Sequence, residues 1–169
     1  MPDDGYTYEL QAGLLVSEPL PGGRHGSVMA AVAELLRTHV KKHRLGVVFA
    51  GDSGFILARK PDTVRGPDVA FVSTERYEQN RDTVRAFAGA PDLAVELLSP
   101  SNTTAGRHAK VADYLAAGTR RAWVVDPEAH TVTVYASLLW PHVLREDEFL
   151  EGDDVIPGFQ VRVGELFEV

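Results

Sequence analysis

Residues 91–127, PDLAVELLSPSNTTAGRHAKVADYLAAGTRRAWVVDP, decide how the chain folds. Leu93 to Leu98 is an apolar run interrupted by one carboxylate, Glu96. The cluster Ser99-Pro100-Ser101-Asn102 breaks it. The spacing from Gly106 to Ala117 predicts a helix, with Gly118 as its C-terminal cap. Ala122 to Val125 is a second apolar run, ending at Asp126-Pro127. Short apolar strands joined by a helix of this length imply a parallel crossover, and with it an α/β fold. Glu96 then demands an explanation, because an unpaired carboxylate among apolar neighbours is far too costly to bury.

A second acid lies upstream. Pro67-Asp68-Val69-Ala70-Phe71-Val72 reads as another short apolar strand with Asp68 at its mouth. If that strand neighbours the one carrying Glu96, two carboxylates repel each other, and a divalent cation is the natural resolution. Hard oxygen ligands with water-filled positions suit Mg²⁺ or Mn²⁺. Lys110, on the predicted helix, is placed to orient a water or to stabilise charge developing on a phosphate. Tyr114 lies one turn beyond it, where it lines the same site or caps the core. Arg107, one turn before it, is a candidate phosphate contact.

Each of these residues also has a plainer reading. An Asp after Pro forms turns or caps. Glu96 can be a buried ion-pair partner for an arginine such as Arg121. Lys110 can be a solvated helix lysine. Ser99 and Ser101 show no paired base, so a serine nucleophile has no support. Asp126 is most simply a turn residue, and the glycines form no phosphate-cradling pattern.

Elsewhere, residues 1–9 read as a frayed lead-in, Gly13 to Ser17 as a short strand, and the stretch from Glu18 to Gly23 as a loop. A helix is expected from about Arg24 to His43. His25, Val28, Met29, Val32, Leu35, Leu36 and His39 fall on one face of it, and His25 there is a packed histidine or a site residue. Lys41-Lys42-His43-Arg44 suits the negative end of the helix dipole or a nucleic-acid contact. Val47–Ala50 and Phe55–Ala58 read as strands around a Gly51-Asp52-Ser53-Gly54 turn, and Lys60 to Gly66 as a polar loop. Residues 73–90 form a polar excursion with a short helix at Thr74–Asn80. Thr131 to Ala136 pairs as a hairpin with Ala122–Val125, and the tail adds two or three short strands. No repeat or linker interrupts the 169 residues, which implies a single domain.

The totals narrow the function classes. Content of 44% apolar and 24% charged residues is that of a soluble globular chain. The absence of cysteine excludes disulfides and thiolate metal sites. No apolar run approaches the roughly 20 residues needed to span a bilayer. The N-terminus MPDDGYTYEL lacks the regions of a signal peptide, so a cytoplasmic protein is expected. A net charge of −7 argues against non-specific nucleic-acid binding, while leaving room for a local basic surface.

The order YELQAGLLVSEPLPGGRHGSV, RGPDVAFVS, GAPDLAVELLSPSN, then Lys110 with Tyr114 and AAGTRRAWVVDP, resembles the Uma-two family of restriction-endonuclease-like proteins. The resemblance runs from about Tyr8 to Phe167. It implies the PD-(D/E)xK nuclease fold: a mixed central sheet flanked by helices, with added hairpins and the active site where strands splay. Asp68 and Glu96 match the two acids and would hold one or two Mg²⁺, with a backbone carbonyl near Leu97 as a further ligand. The nuclease pattern places a lysine where this chain has Leu98; the family pattern places it on the following helix, where Lys110 matches and would position the attacking water. His25 matches the histidine opening the first long helix. Leu14 stands where many relatives carry an acid, so an auxiliary ligand is missing there. A Mg²⁺-dependent DNA endonuclease acting as a homodimer is thereby implied. The alternative is a catalytically inactive nucleic-acid-binding or assembly module on the same fold, motivated by Leu98 and the acidic charge.

Overall fold

The computed structural model describes residues 5–51, 53–80, 86–99 and 103–168. Asp52 of the expected turn, residues 100–102 of the breaker cluster (Ser101 among them), and residues 81–85 of the polar excursion lie outside the described residues. In chain order the strands are β1 (Tyr6–Gln11), β2 (Leu14–Pro19), β3 (Gly46–Ala50), β4 (Phe55–Ala58), β5 (Thr63–Arg65), β6 (Val69–Ser73), β7 (Phe87–Ala88), β8 (Leu93–Leu97), β9 (Arg121–Asp126), β10 (Thr131–Tyr135), β11 (His142–Leu144), β12 (Phe149–Glu151) and β13 (Gln160–Arg162). The helices are α1 (Gly23–His43), α2 (Thr74–Gln79) and α3 (Thr104–Ala116), with a final 3-10 turn at Val163–Phe167.

The central sheet has the order β11-β10-β9-β8-β6-β3. β8 and β9 run parallel, as the crossover through α3 requires, while their other neighbours are antiparallel. The sheet is therefore mixed, with helices on both faces. Alternation along β8 explains its composition. Leu93, Val95 and Leu97 pack with Val28, Val32, Leu36 and Val40 of α1 in the main core. On the opposite face Ala122, Val124 and Tyr135 pack with Val111 of α3 and with Leu98. Glu96, out of phase with Val95 and Leu97, points to this second face. Of the stripe expected on α1, His25, Val28, Val32 and Leu36 are buried, joined by Val40, while Met29, Leu35 and His39 are only partly buried.

Three local expectations change. The lead-in is no frayed end: β1 pairs along its whole length with β2, from Tyr6↔Pro19 to Gln11↔Leu14. Its turn is Ala12-Gly13, both with positive φ (49° and 82°), which is primed-turn geometry without the usual Asn-Gly signature. The strands on either side of Gly51–Gly54 do not pair with each other. β3 joins β6 in the central sheet, whereas β4 joins β5 and β7 in a second sheet of order β2-β1-β5-β4-β7. The expected polar loop 60–66 contains β5, whose Arg65 is buried at 2% exposure. Elsewhere the β9–β10 hairpin forms as expected, with Asp126 accepting from the amides of Glu128 and Ala129 at its turn, each at 3.0 Å.

Candidate active site

β8 carries Glu96, and Asp68 stands immediately before β6. The antiparallel register of these strands pairs Ala70 with Ala94 and Val69 with Val95. One further step along that register sets Asp68 beside Glu96. Cross-strand neighbours have Cβ atoms about 4.5–5.5 Å apart, so two carboxylates distant in sequence become adjacent side chains. The ladder ends there: the Leu97 amide donates to Asp68 Oδ2 at 2.7 Å instead of to a backbone carbonyl. The strands part where the acids sit, and the opening is a cleft of about 260 Å³ lined by Glu9, Glu18, His25, Asp68, Glu96 and Lys110, among others.

α3 supplies the cation. Thr103 caps it, its Oγ1 accepting from the Gly106 amide at 3.0 Å. Lys110 and Tyr114, one turn apart, both reach Glu96. Lys110 Nζ lies 3.4 Å from Glu96 Oε2, and the Tyr114 hydroxyl donates to Glu96 Oε1 at 2.6 Å. Lys110 is thus no solvated lysine; its side chain is 12% exposed. Arg121 does not meet Glu96 but pairs with Asp153 and Asp154, so the arginine partner considered for Glu96 is replaced by Lys110. Arg107 lines an adjoining hollow of about 220 Å³ that shares Glu18, Glu96, Leu97 and Lys110 with the cleft. Its Nε is buried without a hydrogen-bond partner.

Two acids of the site escaped the sequence reading. Glu9 and Glu18 stand on one face of the β1–β2 hairpin, since Thr7 pairs with Glu18 and Glu9 with Val16. Lys110 Nζ lies 3.4 Å from Glu9 Oε2 and 3.3 Å from Glu18 Oε2. They bring acids to the cleft from the hairpin that carries Leu14. The only cue was an alternating YTYELQ strand, hidden because its turn lacked a familiar dipeptide. Arg65, equally unforeseen, bonds Glu9 Oε2 at 2.9 Å and Asp113 Oδ2 at 2.6 Å. The Gly66 amide donates to Glu9 Oε1 at 2.8 Å. This arginine clamps Glu9 to α3 and leaves Asp68 and Glu96 open to the cleft.

The charges do not balance within the site. Five carboxylates, Glu9, Glu18, Asp68, Glu96 and Asp113, meet two permanent cations, Arg65 and Lys110. Burial pushes Glu96 up to about 8; Lys110 opposes the shift, and Asp68 and Glu9 add to it. Burial by itself would discharge Lys110, yet Glu96, Glu9 and Glu18 together hold it well above the usual lysine value. The opposite preferences of this pair follow from sharing: one ammonium is fully compensated by three carboxylates, while none of the three has it alone. His25, 8% exposed, places Nε2 3.4 Å from Asp68 Oδ1. Burial lowers its pKa, but Asp68, the Leu97 carbonyl and Glu96 outweigh that and raise it.

Among the described residues no group of three or more His, Asp or Glu side chains is arranged to hold a metal ion. The donors that converge are two carboxylates beside the Leu97 carbonyl. Such a hard oxygen set fits a Mg²⁺-like ion that keeps several waters, and the surplus negative charge calls for a cation.

A mixed sheet whose neighbouring antiparallel strands part at a pair of acids, backed by an ammonium from the crossover helix, defines a restriction-endonuclease-like protein. The same architecture occurs in the crystal structure of a "putative nuclease belonging to DUF820" from Anabaena variabilis. That structure superposes with a TM-score of 0.86 at 23% identity, over 99% of this chain and 93% of the other. The chain belongs to the Uma2 family, described as "Putative restriction endonuclease", which matches residues 1–164. No curated protein matches it.

Proposed function

We propose that the protein is a single-domain, metal-dependent endonuclease that hydrolyses DNA phosphodiester bonds. The observation that carries this reading is the meeting of Asp68, Glu96 and Lys110 in one cleft. Asp68, Glu96 and the Leu97 carbonyl would hold Mg²⁺ or Mn²⁺. A bound ion of this kind supplies Lewis acidity toward phosphoryl oxygens and a water of lowered pKa. Lys110 stays an ammonium, so it cannot be a general base; it orients the water through an N–H and offsets charge gathering on the phosphate. Tyr114 fixes one Glu96 oxygen, and the other faces Lys110 in the cleft. His25 holds Asp68 in place from the α1 side. Arg107, with its unpartnered Nε, is placed for a flanking phosphate. The DNA substrate and the cytoplasmic setting are inferences from the family description and from the sequence. Among the described residues no helix is long and apolar enough to cross a membrane.

Supercoiled plasmid incubated with the protein and Mg²⁺ or Mn²⁺ is expected to be nicked, and Asp68→Ala to abolish nicking. Nicking that persists in the variant refutes the assignment. A non-catalytic module is the second reading, favoured by the fact that Glu96 already has Lys110 and Tyr114 as partners without any metal. Calorimetric uptake of Mg²⁺ at millimolar concentration, lost in Glu96→Ala, decides for the nuclease; no uptake decides for the module.

A further inference from the structure

The basic end of α1 takes no part in the cleft, yet it borders a groove that ends beside it. β3 is an outer strand of the central sheet. At the two ends of its ladder with β6, the Gly51 amide donates to the Asp68 carbonyl and the Thr74 amide to the Leu45 carbonyl, each at 3.0 Å. Antiparallel alternation then turns the amides and carbonyls of Val47 and Phe49 toward β6, and those of Gly46, Val48 and Ala50 outward. Between this open edge and α1 lies a groove of about 1050 Å³. Its floor includes Ala30, Ala33 and Ala50, and it carries Arg37, Lys41 and Arg44 against a single acid, Glu34.

These three cations are exposed, and among the described residues none of them forms an ion pair. Arg59, Arg65, Arg76, Lys110, Arg120 and Arg121 are each bound to a carboxylate. Other described cations, such as Lys42, Lys60 and Arg145, also lack an ion pair; what sets Arg37, Lys41 and Arg44 apart is that they line one groove together. The groove also ends beside the cleft: Ala30 and Ala50 line the groove, and their chain neighbours Met29 and Gly51 line the cleft. From Ala30 to Lys41 it follows about 17 Å of helix, and Arg37 and Lys41 stand one turn, about 6 Å, apart.

We propose that this groove is the track along which one strand of nucleic acid runs to the acid pair, its phosphates held by Arg37, Lys41 and Arg44. The inference rests on the nuclease reading and adds the path of the substrate to it. An acid-lined cleft repels a polyanion, so the strand must be gripped beyond the cleft. The cations supply that grip. The small residues on the floor let a sugar–phosphate chain approach, and the outward amides of β3 offer further donors. An acidic peptide laid along the β3 edge is the competing occupant. Nearness to the cleft favours the nucleic acid, since only a phosphodiester has chemistry to meet there.

The test is binding without cleavage. Fluorescein-labelled single-stranded DNA of about 16 nucleotides, and a control of about 4, are titrated in EDTA over a range of salt concentrations. The longer strand is expected to bind at least about tenfold tighter. The variant R37Q/K41Q/R44Q is expected to lose that advantage and to lower the log–log salt slope by about 2, as three phosphate contacts at about 0.7 each dictate. Circular dichroism checks α1 in this variant, and Arg37→Glu alone is expected to weaken binding in the same direction. An unchanged affinity and slope in the triple variant, no binding by the wild type, or displacement of the strand by polyglutamate at equal charge would overturn the proposal. Plasmid nicking in Mg²⁺ is read separately. A protein that nicks but keeps its slope sinks the groove alone. A protein that never nicks, yet loses slope in the variant, sinks the nuclease reading alone.

Discussion

Glu96 sits in a buried position facing one ammonium shared with Glu9 and Glu18, next to Asp68. Its pKa near 8 makes it a proton carrier in the metal-free protein. The sign follows from linkage. The unfolded carboxyl ionises near 4.5, the folded one near 8, so its stabilising contribution is complete below 4.5 and lost as pH rises through 8. His25, also raised, acts in the same direction from its ordinary 6.5 upward. The melting temperature of the metal-free protein is therefore expected to fall between pH 5 and pH 8.5, and Glu96→Gln to flatten that fall by at least about 4 °C in a calorimetric scan. A metal must displace the proton, so Mg²⁺ affinity is expected to rise from pH 6 to 8 by up to about tenfold per pH unit. Titrations in two buffers of different ionisation enthalpy should show proton release at pH 7 in the wild type and none in Glu96→Gln. Equal heats in both buffers would mean that Glu96 is already ionised.

At the scale of elements, the site depends on a strap. Arg65 on β5 ties Glu9 of β1 to Asp113 of α3, and thereby holds the second sheet against the crossover helix. Burial disfavours the guanidinium, and Asp113 and Glu9 outweigh that. Truncating one member of such a buried network leaves carboxylates unpaired, which costs about 3–5 kcal/mol. Arg65→Ala is expected to lower the urea midpoint accordingly, whereas Thr103→Ala, which removes only the α3 cap, should cost about 1 kcal/mol. Equal effects would show that the strap carries no more than a cap does. The crossover itself was legible in residues 91–127, because apolar runs and a helical period are local signals. The strap was not. Nothing near Arg65 in the sequence distinguishes it from a loop arginine, and its partners lie 56 and 48 residues away.

For the whole molecule, the nuclease reading proposed above implies a duplex with two strands to cut, which a two-fold pair of clefts would answer. One surface suited to a second copy is the turn between β10 and β11, at one edge of the central sheet. Leu139 and Trp140 are 80% and 82% exposed there, and Leu138 and Val143 are half-exposed beside them. A contiguous apolar patch of this kind marks an association site, and a two-fold contact is self-complementary. Light scattering is expected to report a dimer for the wild type and a monomer for L139D/W140D. A monomeric wild type, or a dimer that survives the double change, assigns the patch no such role.

What the sequence determined by itself was the crossover and most of the α1 stripe, which depend on periodicity; it also marked Asp68 and Glu96 as acids out of place in apolar strands, and offered Lys110 through the family resemblance. Only the tertiary structure decided that β6 lies against β8 in the register that sets the two acids side by side, and that Glu9, Glu18 and Arg65 arrive from the second sheet. Strand pairing is a choice among distant partners, set by which faces can be buried together. The charge of the site is in turn a sum over side chains that only this pairing brings within a few ångströms of one another.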